Sequence, residues 1–185
     1  MSVLILPTCP TDCAGALPDP AFDECAPVVG YGEISKIYLA KADASDFTNV
    51  DVITEWTTRL AYDVSNADAI RAFTVLGDMP EPEVTEQKIS GDRIARGFKT
   101  FKVIFEIDED NDTNYEAHLL FECNTKFKMW FETADGMLFG GNEGVEPTIQ
   151  TNYLIPRARA DLRKIMGIAT WESKTSPLRC ISPNA

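Results

Sequence analysis

"TKFKMWFETADGMLFGGNEG", residues 125–144, decides how this chain is read. "KFKMWFET" alternates apolar and polar side chains, the period of a strand with one face toward a core. Phe127, Met129 and Phe131 are assigned inward, and Lys126, Lys128 and Glu132 outward. Trp130 falls on the polar side, where so large a ring needs a cover. Asp135-Gly136 is the strongest short hairpin signal, and a type I′ turn is expected because its two central residues take positive φ. "MLF" then begins the return strand. "GGNEG" closes that return, lies between no strand and helix, and lacks both the Lys-Ser/Thr of a phosphate loop and the G-x-G-x-x-G spacing. It is read as a loop.

Working outward, "FKTFKVIFEI" (98–107) sets Phe101, Val103, Phe105 and Ile107 against Lys102, Ile104 and Glu106, a second strand. Between these strands "DEDND" turns the chain, and Thr113 with Glu116 fits a capping box opening a helix over 113–124. That helix is expected to bury Tyr115, Leu119 and Cys123 and to end on Asn124. Strands are also expected over 34–42, 69–76, 84–90, 148–155 and 162–173, the last two with Ile149, Tyr153 and Ile155, and Ile165, Ile168 and Trp171, toward the core. A short helix carrying Val52, Trp56 and Leu60 is expected before the second of these, opened by a Thr48/Asp51 capping box. Several strands, short turns and one well-marked helix predict a mainly β (α+β) protein: an antiparallel β-sandwich or barrel with a flanking helix near 113–124.

The ends differ. Residues 1–30 carry Pro7, Pro10, Pro18, Pro20 and Pro27, and "SKTSPLRCISPNA" (173–185) is similar, so regular structure is not expected in either. The chain therefore divides into an extended N-terminal arm (1–30), a β-sandwich domain (31–173) and a C-terminal arm (174–185). Proline prevents the N-terminal arm from making ladders of its own, so it is expected to lie across a neighbouring subunit.

Seventeen basic residues against 29 acidic ones give a net charge of −12. That argues against a general nucleic-acid or membrane-surface binder. No apolar run approaches the ~18 residues of a membrane span, and "MSVLILPTCP" lacks the basic start of a signal peptide; a cytoplasmic origin is expected. Cys9, Cys13, Cys25, Cys123 and Cys180 are odd in number and irregular in spacing, which is no disulfide framework. Cys9, Cys13 and Cys25 are candidate zinc ligands, but paired C-x2-C spacing is absent, so free thiols and no metal are expected. Cys123 is expected to be buried in its helix.

Few residues suggest catalysis. His118, the single histidine, is read as a satisfied or solvated helix side chain rather than a general base. "DEDNDTNYE" (108–116) begins like a calcium loop but has Thr113 at the glycine position and Leu119 at the bidentate glutamate position. No catalytic residue and no cofactor is assigned, and an enzyme ranks last among the functional readings. The one basic cluster is Arg157, Arg159, Arg163 and Lys164 in "PRARADLRK". It is weighed as a solvated loop, with Asp161 as local partner, against a contact with an acidic surface of a neighbouring subunit.

The succession from "FKTFKVIFEI" through the capped helix to "FKMWFETADGMLFGG" and "IATWESKTSPLRC" resembles tail-tube-like virion proteins, more narrowly the tail ring proteins of crAss-like, Bacteroides-infecting phages. The resemblance covers residues 31–180; the cysteine-bearing arm lies outside it. It implies a non-enzymatic virion structural protein of the tail, assembled in the host bacterial cytoplasm. Its partners would be copies of itself in a ring and other tail or portal-proximal proteins, with phage DNA passing through unbound and an acidic inner wall facing it. The rival reading is a monomeric β-sandwich interaction module.

Overall fold

A computed structural model describes residues 30, 32–90, 93–123, 126–157 and 161–184, with 87–90 and 93–96 described by backbone alone. Residues 1–29 of the N-terminal arm, Asn124 and Arg159 lie outside the described residues.

Among the described residues nine strands form one antiparallel sheet: β1 Ile34–Lys41, β2 Ile70–Asp78, β3 Glu83–Ser90, β4 Arg93–Ile107, β5 Phe127–Thr133, β6 Met137–Phe139, β7 Thr148–Leu154, β8 Lys164–Ser173 and β9 Arg179–Ile181. Their order is β7-β8-β4-β2-β1-β5-β6-β9, with β3 pairing β4 beside β2, and the sheet does not close. Two helices, α1 Ile53–Ala61 and α2 Asp112–Glu122, accompany the sheet among the described residues. The chain is thus mainly β, and an open, folded-over sheet takes the place of a barrel. β5 and β8 are four strands apart in the sheet, roughly 19 Å if it were flat. Yet the Phe131 and Trp171 ring centroids are 6.2 Å apart. The sheet therefore curls until its two ends face one another across one core, built from β1 and β5 on one side and β4, β7 and β8 on the other. α2 fills the remaining opening: Phe121 meets Phe73 of β2 and Phe127 of β5, while His118 reaches β7.

The alternation of β4 is as expected, with Phe101, Val103, Phe105 and Ile107 all buried. β4 is longer than expected, beginning at Arg93, and its first half pairs with β3. Gly167 of β8 is paired with Phe105, whose ring lies where a side chain would stand: a Cβ there would be 2.3 Å from the ring.

β5 departs from the half-exposed strand expected of it. Every residue from Phe127 to Glu132 is buried. Phe127, Met129 and Phe131 face the main core, whereas Trp130 joins a second one with Tyr38, Phe47, Val50, Trp56, Leu138 and Cys180. The covering layer is α1, the segment before it, and β9. Lys128 is not on a solvated face: its ammonium donates to Ala44 O at 2.7 Å and pairs with Asp46. Glu132, also expected outward, is 3% exposed.

Local details differ too. Asp135 does not adopt positive φ, so the hairpin is not type I′; Gly136 N–H closes the turn on Thr133 O at 2.9 Å, and Gly136 alone takes the left-handed conformation (φ 82°). This is the three-residue connection that ends on a left-handed glycine. α2 is capped by Asn111, whose side chain accepts from Asn114 N–H at 2.8 Å, two residues ahead of the expected Thr113 box, and it ends on Cys123. Its buried side chains are His118 and Phe121; Tyr115, Leu119 and Cys123 are exposed. α1 begins after Val52 without a side-chain cap, and Glu55 accepts from Thr48 N–H, so the Thr48/Asp51 box does not form. Ile155 and Ile168, expected inward, are exposed. The C-terminal segment is no free arm: β9 pairs with β6 and buries Cys180 and Ser182.

Candidate functional site

The glycine cluster is a lid over Trp130. Gly140, Gly141 and Gly144 all have positive φ (130°, 65° and 75°), and Cβ atoms at Gly140 and Gly144 would stand 2.5 and 2.9 Å from the indole. Trp130 Nε1–H donates to Gly141 O at 2.8 Å. Asn142 ties the lid to the segment before α1: Phe47 N–H donates to its carbonyl at 2.9 Å and Val50 N–H to its side chain at 3.0 Å. Glycine is used here for close approach and left-handed turns, and Gly140 N–H is committed to Leu178 O at 2.9 Å.

The outer side of that lid borders a cleft. About 600 Å³ lies between residues 140–146 and 171–180. Glu143, Glu146 and Glu172 line it, against one arginine, Arg179, with Trp171 and Leu178 supplying apolar wall. Trp171 is 7% exposed, stacks on Phe101 at 5.4 Å, and its indole Nε1–H meets no acceptor among the described residues. Sequence reading did not find this cleft. "GGNEG" was legible as a loop, but nothing local indicates that it faces 171–180.

The basic cluster does not come together as a patch of free cations. Arg163 pairs with Asp110 at 2.6 Å, and Lys164 pairs with Glu106, which raises the lysine's pKa. Asp110 also accepts from Tyr153 O–H at 2.6 Å, a bond that raises the tyrosine's pKa. This carboxylate, the second of the alternating aspartates of the failed calcium pattern, is therefore occupied by a hydroxyl and a guanidinium. Arg157 is exposed and makes no ion pair among the described residues. Beside it the connection leaving β7 and entering β8 exposes Ile155 (69%) and Leu162 (75%).

His118 is a satisfied core histidine: Nδ1 lies 2.7 Å from Thr151 Oγ1, and Nε2 3.6 Å from Glu122 on the helix surface. Glu132 anchors the C-terminus. Its carboxylate accepts from Tyr38 O–H at 2.7 Å and Ser182 O–H at 2.8 Å, and Lys36 pairs with it at 3.3 Å. Burial, then the bond to Glu132, pushes the Tyr38 pKa well up. Among the described residues no group of His, Cys, Asp and Glu is placed to hold a metal; Cys9, Cys13 and Cys25 lie outside them. No described helix is long and apolar enough to cross a membrane.

No protein-family profile, curated protein or solved structure matches the chain.

Proposed function

We propose that the chain is a structural subunit that assembles with copies of itself into a ring, and that the ring is part of a phage tail or head-to-tail conduit. The observation that carries self-assembly is the β7–β8 connection. Two large apolar side chains, Ile155 and Leu162, stand there largely in solvent, and the guanidinium of Arg157 makes no ion pair among the described residues. Apolar tips with arginine are the composition of protein-contact surfaces. A partner suited to them is acidic, and at −12 per chain every copy of this protein is one. The tail setting rests on the resemblance of residues 31–180 to phage ring proteins. A ring of such copies focuses negative charge across its lumen and keeps a polyanion from adhering during passage.

The rival, a monomeric binding module, draws its support from the cleft beside Trp171. Mass by light scattering with negative-stain imaging separates the two, and detection of the chain in purified virions tests the setting. A monomer at every concentration, or absence from virions, refutes the proposal.

A further inference from the structure

We propose that Ile155, Arg157 and Leu162 of one copy dock in the acidic cleft between residues 140–146 and 171–180 of the next, joining subunits head to tail. This rests on the self-assembly reading above and names its contact.

Charge selects the pairing. On the donor side Arg163 and Lys164 are engaged by Asp110 and Glu106 of their own chain, so among the described residues of the connection Arg157 is the cation left to present with the two apolar side chains. On the acceptor side Glu143, Glu146 and Glu172 outnumber Arg179. A guanidinium engages carboxylates through a planar fork, and Leu178 with the cleft face of Trp171 gives the apolar tips a surface to cover.

Geometry excludes self-docking. The cleft lies beyond the Thr148↔Thr170 end of the β7–β8 ladder, and the connection beyond its Leu154↔Lys164 end. Six residue steps, roughly 20 Å, separate them. One copy cannot fill its own cleft with its own connection. Unlike surfaces at opposite ends of a rigid ladder make heterologous contacts, which close into rings where the rotation permits.

Two full-length variants test the pairing. One alters the connection, Arg157→Glu with Leu162→Asp; the other alters the cleft, Glu146→Lys with Glu172→Lys. All four side chains are exposed, so far-UV spectra and melting are expected to match the unaltered chain. Each variant alone is expected to lose the ring species, more completely at low salt, where repulsion is less screened. An equimolar mixture should assemble again beyond the monomer, because it offers one unaltered junction and one whose charges are reversed on both sides. Rings from the unaltered chain together with rings from both variants would leave self-assembly standing and overturn this contact. So would a mixture that remains monomeric. Loss of assembly in the cleft variant alone would assign the cleft to a different basic segment and likewise overturn the pairing. A monomeric unaltered chain refutes both readings.

Discussion

Gly140→Ala is expected to destabilise the chain more than any other single-methyl addition in the 140–144 loop. The new Cβ would stand 2.5 Å from Trp130 Cδ1 and 3.1 Å from Cγ, and 3.3 Å from Met129 O. Trp130 cannot withdraw: it is fully buried, bonded to Gly141 O, and packed edge-on against Phe47 and Trp56. Forcing a methyl into such a site costs about 1–3 kcal/mol. The backbone adds a separate term, since φ is +130° at Gly140 and holding a side chain in such a region costs about 1–3 kcal/mol. The middle of the combined range is about 4 kcal/mol, which for a chain of this size lowers Tm by roughly 8–16 °C. Gly144→Ala meets the indole at 2.9 Å with φ +75°, a milder contact in a conformation that costs alanine about 1–2 kcal/mol. Its loss should be the smaller of the two. Urea denaturation followed by far-UV circular dichroism, at one fixed protein concentration, reads both. An unchanged m-value would show that the folded state, not the unfolded one, has changed. A Gly140→Ala loss below about 1 kcal/mol, or a larger loss for Gly144→Ala, would refute the account of this loop as a lid pressed onto Trp130.

Glu132→Ala should cost roughly 2–4 kcal/mol, because it leaves the buried hydroxyls of Tyr38 and Ser182 without their acceptor. Limited proteolysis should then cut the 179–184 segment in otherwise folded protein, whereas Glu132→Gln, which keeps an oxygen, should protect it better. Stability should fall in alkali. Burial and nearby Asp51 push the Cys180 thiol from its usual 9.0 up to about 11. The neutral thiol is thus favoured by folding; its contribution is complete below pH 9 and lost between pH 9 and about 11, and Tyr38 adds to the loss from pH 10 upward. Denaturation midpoints across this range check the sign, and Cys180→Ala should flatten the lower part of it. A midpoint that rises with pH there would contradict the assignment.

Residues 98–107 illustrate what could be read directly. The alternation of Phe101, Val103, Phe105 and Ile107 states both the strand and its buried face, because a sheet with one inner surface imposes a period of two. The loop at 140–144 and the hairpin at 134–136 were legible for a similar reason: glycine permits backbone conformations that other residues pay to enter. The hairpin's type was not legible, since Asp-Gly serves both a two-residue and a three-residue connection.

What lies over a face is a different kind of fact. Lys128 and Glu132 alternate like solvent-facing residues, and in an edge strand they would be. They are buried because the strand order places β5 between β1 and β6 and brings residues 44–56 and 179–182 over it, up to 84 positions away in the chain. On α2 two apolar stripes compete, and the curl of the sheet, not the helix, selects His118 and Phe121 over Tyr115 and Leu119. β9 is three residues long, too short to show a period, and exists because β6 offers it an edge. The partners of Arg163 and Lys164 are set in the same way, by Asp110 in the connection before α2 and Glu106 on the neighbouring strand. Local periodicity encodes the backbone state of a segment, since it depends on neighbours three or four residues away. Which face is covered, which charge is spent at home and where a cleft opens depend on contacts between distant segments, and only the packed chain decides them.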